Sequence, residues 1–178
     1  TKFKAMLVTP SRLHAVRYMQ EFSRQIRDGG MTGIRALVAF SGEVKDSVGG
    51  RECSYTEEEL NRATHGFRIS ERELPDVFAK DFNILIVAEK YQTGFDEPLL
   101  HTMFVDKQLR GVKAVQTLSR LNRTAPGKED TFVLDFVNST EDIRKSFEPF
   151  YEATVLEEET DPNLVYDIRH RLDAFQVY

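Results

Sequence analysis

Residues 114–135 read AVQTLSRLNRTAPGKEDTFVLD. The stretch divides into a helix, a turn and a strand. Gln116, Arg120 and Arg123 are spaced by four and then three, so on a helix their side chains share one face. Val115, Leu118 and Leu121 fall on another face, suited to burial against a sheet. Thr124-Ala125-Pro126-Gly127 is a strong turn signal, and TFVLDF at 131–136 has the composition of a strand. Two guanidinium groups beside an amide, on a helix with one buried side, suit an anion, because arginine's rigid fork of donors matches phosphate oxygens. A solvated basic face, with Gln116 there by chance, fits the same spacing.

Working outward, ILIVA at 84–88 is a continuous apolar run, as expected of a strand covered on both faces of a parallel sheet. The loop EKYQTGFDEP follows, then a strand at TMFVD, 102–106. In that loop Gly94 permits positive φ or close backbone approach, and Asp96 offers a carboxylate that can accept from ribose hydroxyls. Near the start, AMLVT at 5–9 reads as a buried strand, and Pro10-Ser11 open a helix ended by Gly29-Gly30. RALVAF at 35–40 is the next strand. Strand, helix, strand implies parallel pairing through a right-handed crossover. EVKDSVGGRECS at 43–54 reads as a loop. Thr56-Glu57-Glu58-Glu59 reads as a capping box whose glutamates form a solvated first turn. SERELPDVFAK at 70–80 reads as a short helix, as does 140–151, and a further amphipathic helix is expected from Asp161-Pro162 onward. Five strands alternating with helices make an α/β sheet.

Composition narrows the class. The chain has 178 residues, a formal net charge of −5 and a single cysteine, Cys53. No intramolecular disulfide or cysteine-based zinc site is possible, and a reducing, cytoplasmic setting is expected. No apolar run approaches the roughly 20 residues that span a bilayer, so no membrane partner is expected. The histidines at 14, 65, 101 and 170 lack metal-ligand spacing, and no metal site is expected. The acidic balance argues against attachment to nucleic acid by overall charge, although the Lys- and Arg-rich stretch at 107–128 leaves room for a local basic groove.

Together, ILIVAEKYQTGFDEP and QTLSRLNR resemble motifs V and VI of superfamily 2 helicases and translocases. More closely, the Gly-Phe-Asp-x-Pro loop, the Ser-Arg-x-Asn-Arg helix and the Val-Leu-Asp-Phe strand resemble the motor of the restriction (R) subunit of type I restriction–modification enzymes. LVTPSR at 7–12 corresponds to motif IV. The resemblance implies a RecA-like lobe over 1–138, with a mainly parallel sheet of five or six strands and flanking helices. An α-helical extension over 139–178 would begin a further helical domain. It also implies roles. Arg123 would be an arginine finger and Arg120 its partner on the phosphates. Gln116, Gly94 and Asp96 would line the nucleotide side of a cleft. Thr9, Ser11, Arg12, Ser41, Gly42 and Thr93 would meet a DNA backbone without reading bases. For Ser11, ordinary helix capping is the alternative.

There is no G-x-x-x-x-G-K-[ST] loop, since Gly127-Lys128-Glu129 fails at its last position, and no DExH-like box. The resemblance therefore implies the second lobe of a two-lobed motor. ATP and Mg²⁺ would be bound mainly by a first lobe absent from this chain. The expected partners are that lobe, double-stranded DNA, and the modification and specificity subunits of a restriction complex; the parent would be an ATP-dependent hydrolase. Three rivals stand beside this, one of them a structural or interaction domain with its arginines on a solvated surface. Glu43-x-Lys45 resembles half of an acid-x-Lys nuclease signature, without an evident earlier Asp. A stand-alone α/β nucleotide- or anion-binding module would share the arginine helix and need no partner lobe.

Overall fold

A computed structural model describes residues 3–91 and 94–155. Five parallel strands form the main sheet: β1 (Lys4–Val8), β2 (Ala36–Ala39), β5 (Ile84–Val87), β6 (Leu100–Val105) and β7 (Phe132–Asp135). Their order is β2-β5-β1-β6-β7. Central β1 sets the register, with Met6 opposite Leu85 on one side and Met103 on the other. An antiparallel hairpin, β3 (Glu43–Val48) and β4 (Arg51–Thr56), stands apart. The helices are α1 (Arg12–Asp28), α2 (Glu57–His65), α3 (Leu74–Asp81), α4 (Val112–Leu118) and α5 (Thr140–Val155). This is the α/β, RecA-like architecture expected of the sequence, with five strands. The helix expected after Asp161 lies outside the described residues.

Alternation along the strands divides the core in two. Met6, Val8, Leu85, Val87 and Met103 face α3, α4 and the turn after α4, where Leu74, Phe78, Ala114 and Leu121 close over them. Leu7, Val38 and Ile86 face the other way, onto Val16 and Met19 of α1 and Leu60 of α2. Both faces of the middle strands are therefore dry, which is why ILIVA carries no polar alternation. Among the described residues no helix is long and apolar enough to cross a membrane.

Several ends match the sequence signals. The Ser11 side chain accepts from the His14 N–H at the start of α1, and Gly29 ends that helix. At α2 the Thr56 hydroxyl accepts from the Glu59 N–H, one half of the expected capping box, and donates to the Glu59 carboxylate. Residues 43–54 are a correction: they form most of the β3–β4 hairpin rather than a loop. Gly49 and Gly50 have φ of +59° and +79°, the pair of left-handed residues that a two-residue hairpin turn demands. Val44, and Tyr55 opposite it, pack into the α1 side of the core.

The second correction is Glu57. It is 8% exposed and does not lie in a solvated turn. It belongs to a side-chain ladder along α2 that covers the outer edge of β2. Glu57 accepts from the Phe40 N–H at 2.8 Å. Asn61 accepts from the Val38 N–H at 3.0 Å and donates to the Val38 carbonyl at 2.9 Å. His65 Nε2 lies 2.8 Å from the Ala36 carbonyl oxygen. Four helical residues rise about 6 Å and two strand residues about 6.6 Å, so every fourth side chain meets every second strand residue. An edge strand that would otherwise offer free backbone groups is thereby capped within its own chain. Asn61→Ala orphans two buried backbone groups, each costing about 1–3 kcal/mol. Urea unfolding of N61A is expected to give a loss of about 2–4 kcal/mol; a loss below about 0.5 kcal/mol would remove the ladder's structural role.

Candidate functional site

The arginine segment is less regular than its spacing implies. α4 ends at Leu118 and tightens into a 3₁₀ turn, Ser119–Asn122, after which Arg123 is extended at φ −80° and ψ 133°. The buried positions are Ala114, Thr117 and Leu121, with Leu118 only partly buried, so the inner face is rotated from the Val115–Leu118–Leu121 stripe. Arg123 thus lies past the helix and shares no helical face with Gln116. Arg120 and Arg123 nevertheless converge on the Gly-Phe-Asp loop. The Arg120 guanidinium donates to the Phe95 carbonyl at 3.0 Å. Arg123 Nε lies 2.9 Å from the Asp96 carboxylate, and the two side chains remain 50% and 68% exposed. Phe95 anchors the loop from below, with its ring centroid 5.0 Å from Tyr91 and 6.0 Å from Phe78. Gly94 turns the chain into this position at φ +73°. Gln116 is exposed on the preceding helical turn.

A second group gathers where β1 and β2 end. Arg12 donates to the Ser41 carbonyl at 2.8 Å. Gly42 has φ +74°, and a Cβ there would sit 3.0 Å from the Arg12 guanidinium. Ser11 is beside them as the α1 cap. Thr9 departs from the expectation of ligand contact: it is fully buried, and its hydroxyl is within hydrogen-bond reach of the Ser11 and Val87 carbonyls. It shapes the edge from beneath. Thr93 lies outside the described residues. In the nuclease rival, Glu43 accepts from the Ser54 hydroxyl within the hairpin, and Asp28 at the end of α1 pairs with Arg24. Among the described residues no group of three His, Cys, Asp or Glu could hold a metal ion.

Sequence reasoning missed the residue between these groups. Lys90 Nζ lies 2.8 Å from Glu57 and 2.9 Å from Glu71. The Lys90 and Glu57 side chains are only 10% and 9% exposed. Burial pushes the Glu57 carboxyl above its usual range, with Lys90 opposing that shift. Burial lowers Lys90, but its bonds to Glu57 and Glu71 outweigh this and hold its pKa above the usual value. On either side, Glu89 and Tyr91 adopt φ of +63° and +62° without being glycine, a strained conformation that only firm anchoring sustains. A lysine between two non-glycine turns carries no local motif; its partners Glu57 and Glu71 are both distant in sequence. Lys90→Met strands a buried carboxylate and is expected to cost about 3 kcal/mol in urea unfolding. The E57Q/K90M pair is expected to cost less than the sum of the single losses; strict additivity would contradict the pairing.

Comparison with known proteins matches the same segments. Residues 65–138 match the family model of type I restriction enzyme subunit R domain 3. A Methanocaldococcus jannaschii protein named as a type I restriction enzyme MjaIXP endonuclease subunit is 27% identical over 164 residues, covering 92% of this chain and 15% of that protein. The type I restriction enzyme HindI endonuclease subunit of Haemophilus influenzae is 23% identical over 162 residues, covering 85% of this chain and 14% of that protein. The chain thus spans about one-seventh of the length of these relatives. Over most of its length the chain is similar to type I restriction enzyme endonuclease subunits, and residues 65–138 match domain 3 of subunit R.

Proposed function

We propose that this chain is the second RecA-like lobe of an ATP-driven double-stranded DNA translocase, working inside a type I restriction enzyme R subunit. The observation that carries the reading is the convergence of Arg120, Arg123 and Asp96 at the Gly-Phe-Asp loop. Two guanidinium groups beside a carboxylate fit a nucleotide's donor and acceptor pattern: phosphate oxygens for the arginines, ribose hydroxyls for Asp96. A half-exposed ion pair is worth only about 0–1 kcal/mol. Arg123 can therefore exchange Asp96 for a phosphate at little cost. ATP and Mg²⁺ would be held chiefly by the other lobe, and ATP turnover supplies the driving energy. Arg123 would offset charge at the transferred phosphoryl group, with Arg120 beside it. Gln116 and Gly94 would border the nucleotide.

The Ser11–Arg12–Ser41–Gly42 edge would follow a DNA backbone through hydrogen bonds and charge, independent of sequence. Helix α5, Thr140–Val155, would open the next, helical part of the protein. Sequence choice and methylation would come from partner specificity and modification subunits. The isolated chain is expected to hydrolyse ATP at no more than its Mg²⁺-free control rate. In the full-length R subunit, Arg123→Ala is expected to slow DNA-stimulated ATP turnover by about 10³-fold or more. An unchanged turnover rate would remove the assigned role. Tight ATP binding by the isolated chain would instead favour a stand-alone nucleotide-binding module.

A further inference from the structure

The Gly127-Lys128 pair, which fails as a phosphate loop, has a different position in the fold. Gly127, at φ +78°, completes a turn in which the Lys128 N–H donates to the Ala125 carbonyl at 3.0 Å. The Lys128 side chain folds back under the arginine segment. Its ammonium donates to the carbonyls of Leu121 and Arg123, each at 2.7 Å, and of Pro98 at 3.2 Å. Three N–H donors meet three backbone acceptors, which completes the group's donor capacity. Two of those carbonyls lie at the end of the 3₁₀ turn, where backbone acceptors have no partner further along a helix. The third belongs to the loop that carries Asp96.

Among the described residues, cross-links join the Gly-Phe-Asp loop to the arginine segment: Arg120 to Phe95, Arg123 to Asp96, and Lys128 to both backbones. The first two use the arginine side chains themselves, and each is given up when its guanidinium turns to a phosphate. The Lys128 link binds main chain to main chain and persists through that exchange. We propose that Lys128 is a positioning residue for Arg123: it fixes the backbone of an arginine that no helix holds, so that the guanidinium swings from Asp96 to the nucleotide without its Cα moving. The inference rests on the arginine-finger reading above. A tetrahedral ammonium suits three carbonyls converging on one point, whereas a planar guanidinium directs its donors outward in a fork. Arginine at 128 should therefore replace the charge but only part of the geometry.

The test uses the full-length R subunit in its complex, with DNA-stimulated ATP turnover as the readout. Lys128→Met keeps the stem and removes the donors. A displacement of about 1 Å at a catalytic group can cost about 10²-fold, so K128M is expected to lower kcat by about 10- to 100-fold, with KM for ATP and duplex-DNA affinity within about twofold of wild type. K128R is expected to recover part of that loss. In the R123A background K128M is expected to cause no further loss, because the residue it positions is gone. An unchanged kcat, a raised KM for ATP, full recovery by K128R, or an equal fold-loss in the R123A background would each overturn the proposal. Should K128M fail to assemble, K128R alone and with R123A provides the same non-additivity test. If R123A itself leaves turnover unchanged, the finger reading fails and the positioning role falls with it; a deficient R123A beside a fully active K128M sinks the positioning role alone.

Discussion

One buried carboxylate, Glu57, joins three parts of this structure. It accepts the last free N–H of the edge strand's run, at Phe40, and it neutralises Lys90 in the loop that leaves β5. It also sits at the start of α2, where the helix dipole favours a negative charge. Removing a carboxylate from water costs several kcal/mol unless a cation and hydrogen bonds replace the lost solvation. Here both are present. The same contact fixes where Ser41 and Gly42 emerge and where the chain turns through two left-handed non-glycine residues toward Phe95. The backbone edge on one side and the arginine cluster on the other are referred to a common post.

That arrangement separates rigid parts from exchangeable ones. The core beneath the Gly-Phe-Asp loop is apolar and aromatic, with the Phe95 ring against both Phe78 and Tyr91. Above it, the polar contacts are half-exposed and individually weak, as in the Arg123–Asp96 pair. Under the proposed function, a site whose charged groups exchange partners would be served by a well-packed scaffold and by ion pairs that cost little to break. The buried pair at Glu57 and the exposed pair at Asp96 have the same chemistry but opposite consequences, because burial, rather than charge, sets the cost of separating them.

The sheet was legible because both of its faces are buried. AMLVT, RALVAF and ILIVA carry apolar runs without alternation, and each became a parallel strand within a residue or two of the reading. The hairpin was misread because its strands are charged and mostly exposed; its one local sign was the glycine pair at the turn. The arginine segment was read correctly in type and incorrectly in phase. Spacing of four and three presumes a helix of constant pitch, and this one tightens after Leu118. Arg123 still reaches the loop, but through backbone held from outside the helix. Nothing local distinguishes Glu57 from a solvated capping residue: its partner Lys90 lies 33 positions away, and no local pattern encodes such a pairing. Lys128 was discounted against a phosphate-loop pattern, since its three carbonyl partners exist only in the folded chain.

On the proposed function, residues 94–96 and 116–123 border a nucleotide bound mainly by another lobe. The most direct measurement is photo-crosslinking with ATP that bears a photoreactive group on its γ-phosphate. It would be carried out on the full-length R subunit with duplex DNA, and the adducts mapped by mass spectrometry. Adducts are expected within 94–96 or 116–123 that unlabelled ATP suppresses and that depend on an intact first lobe. Competable adducts confined to other parts of the protein, with none in these two segments, would contradict the proposed function.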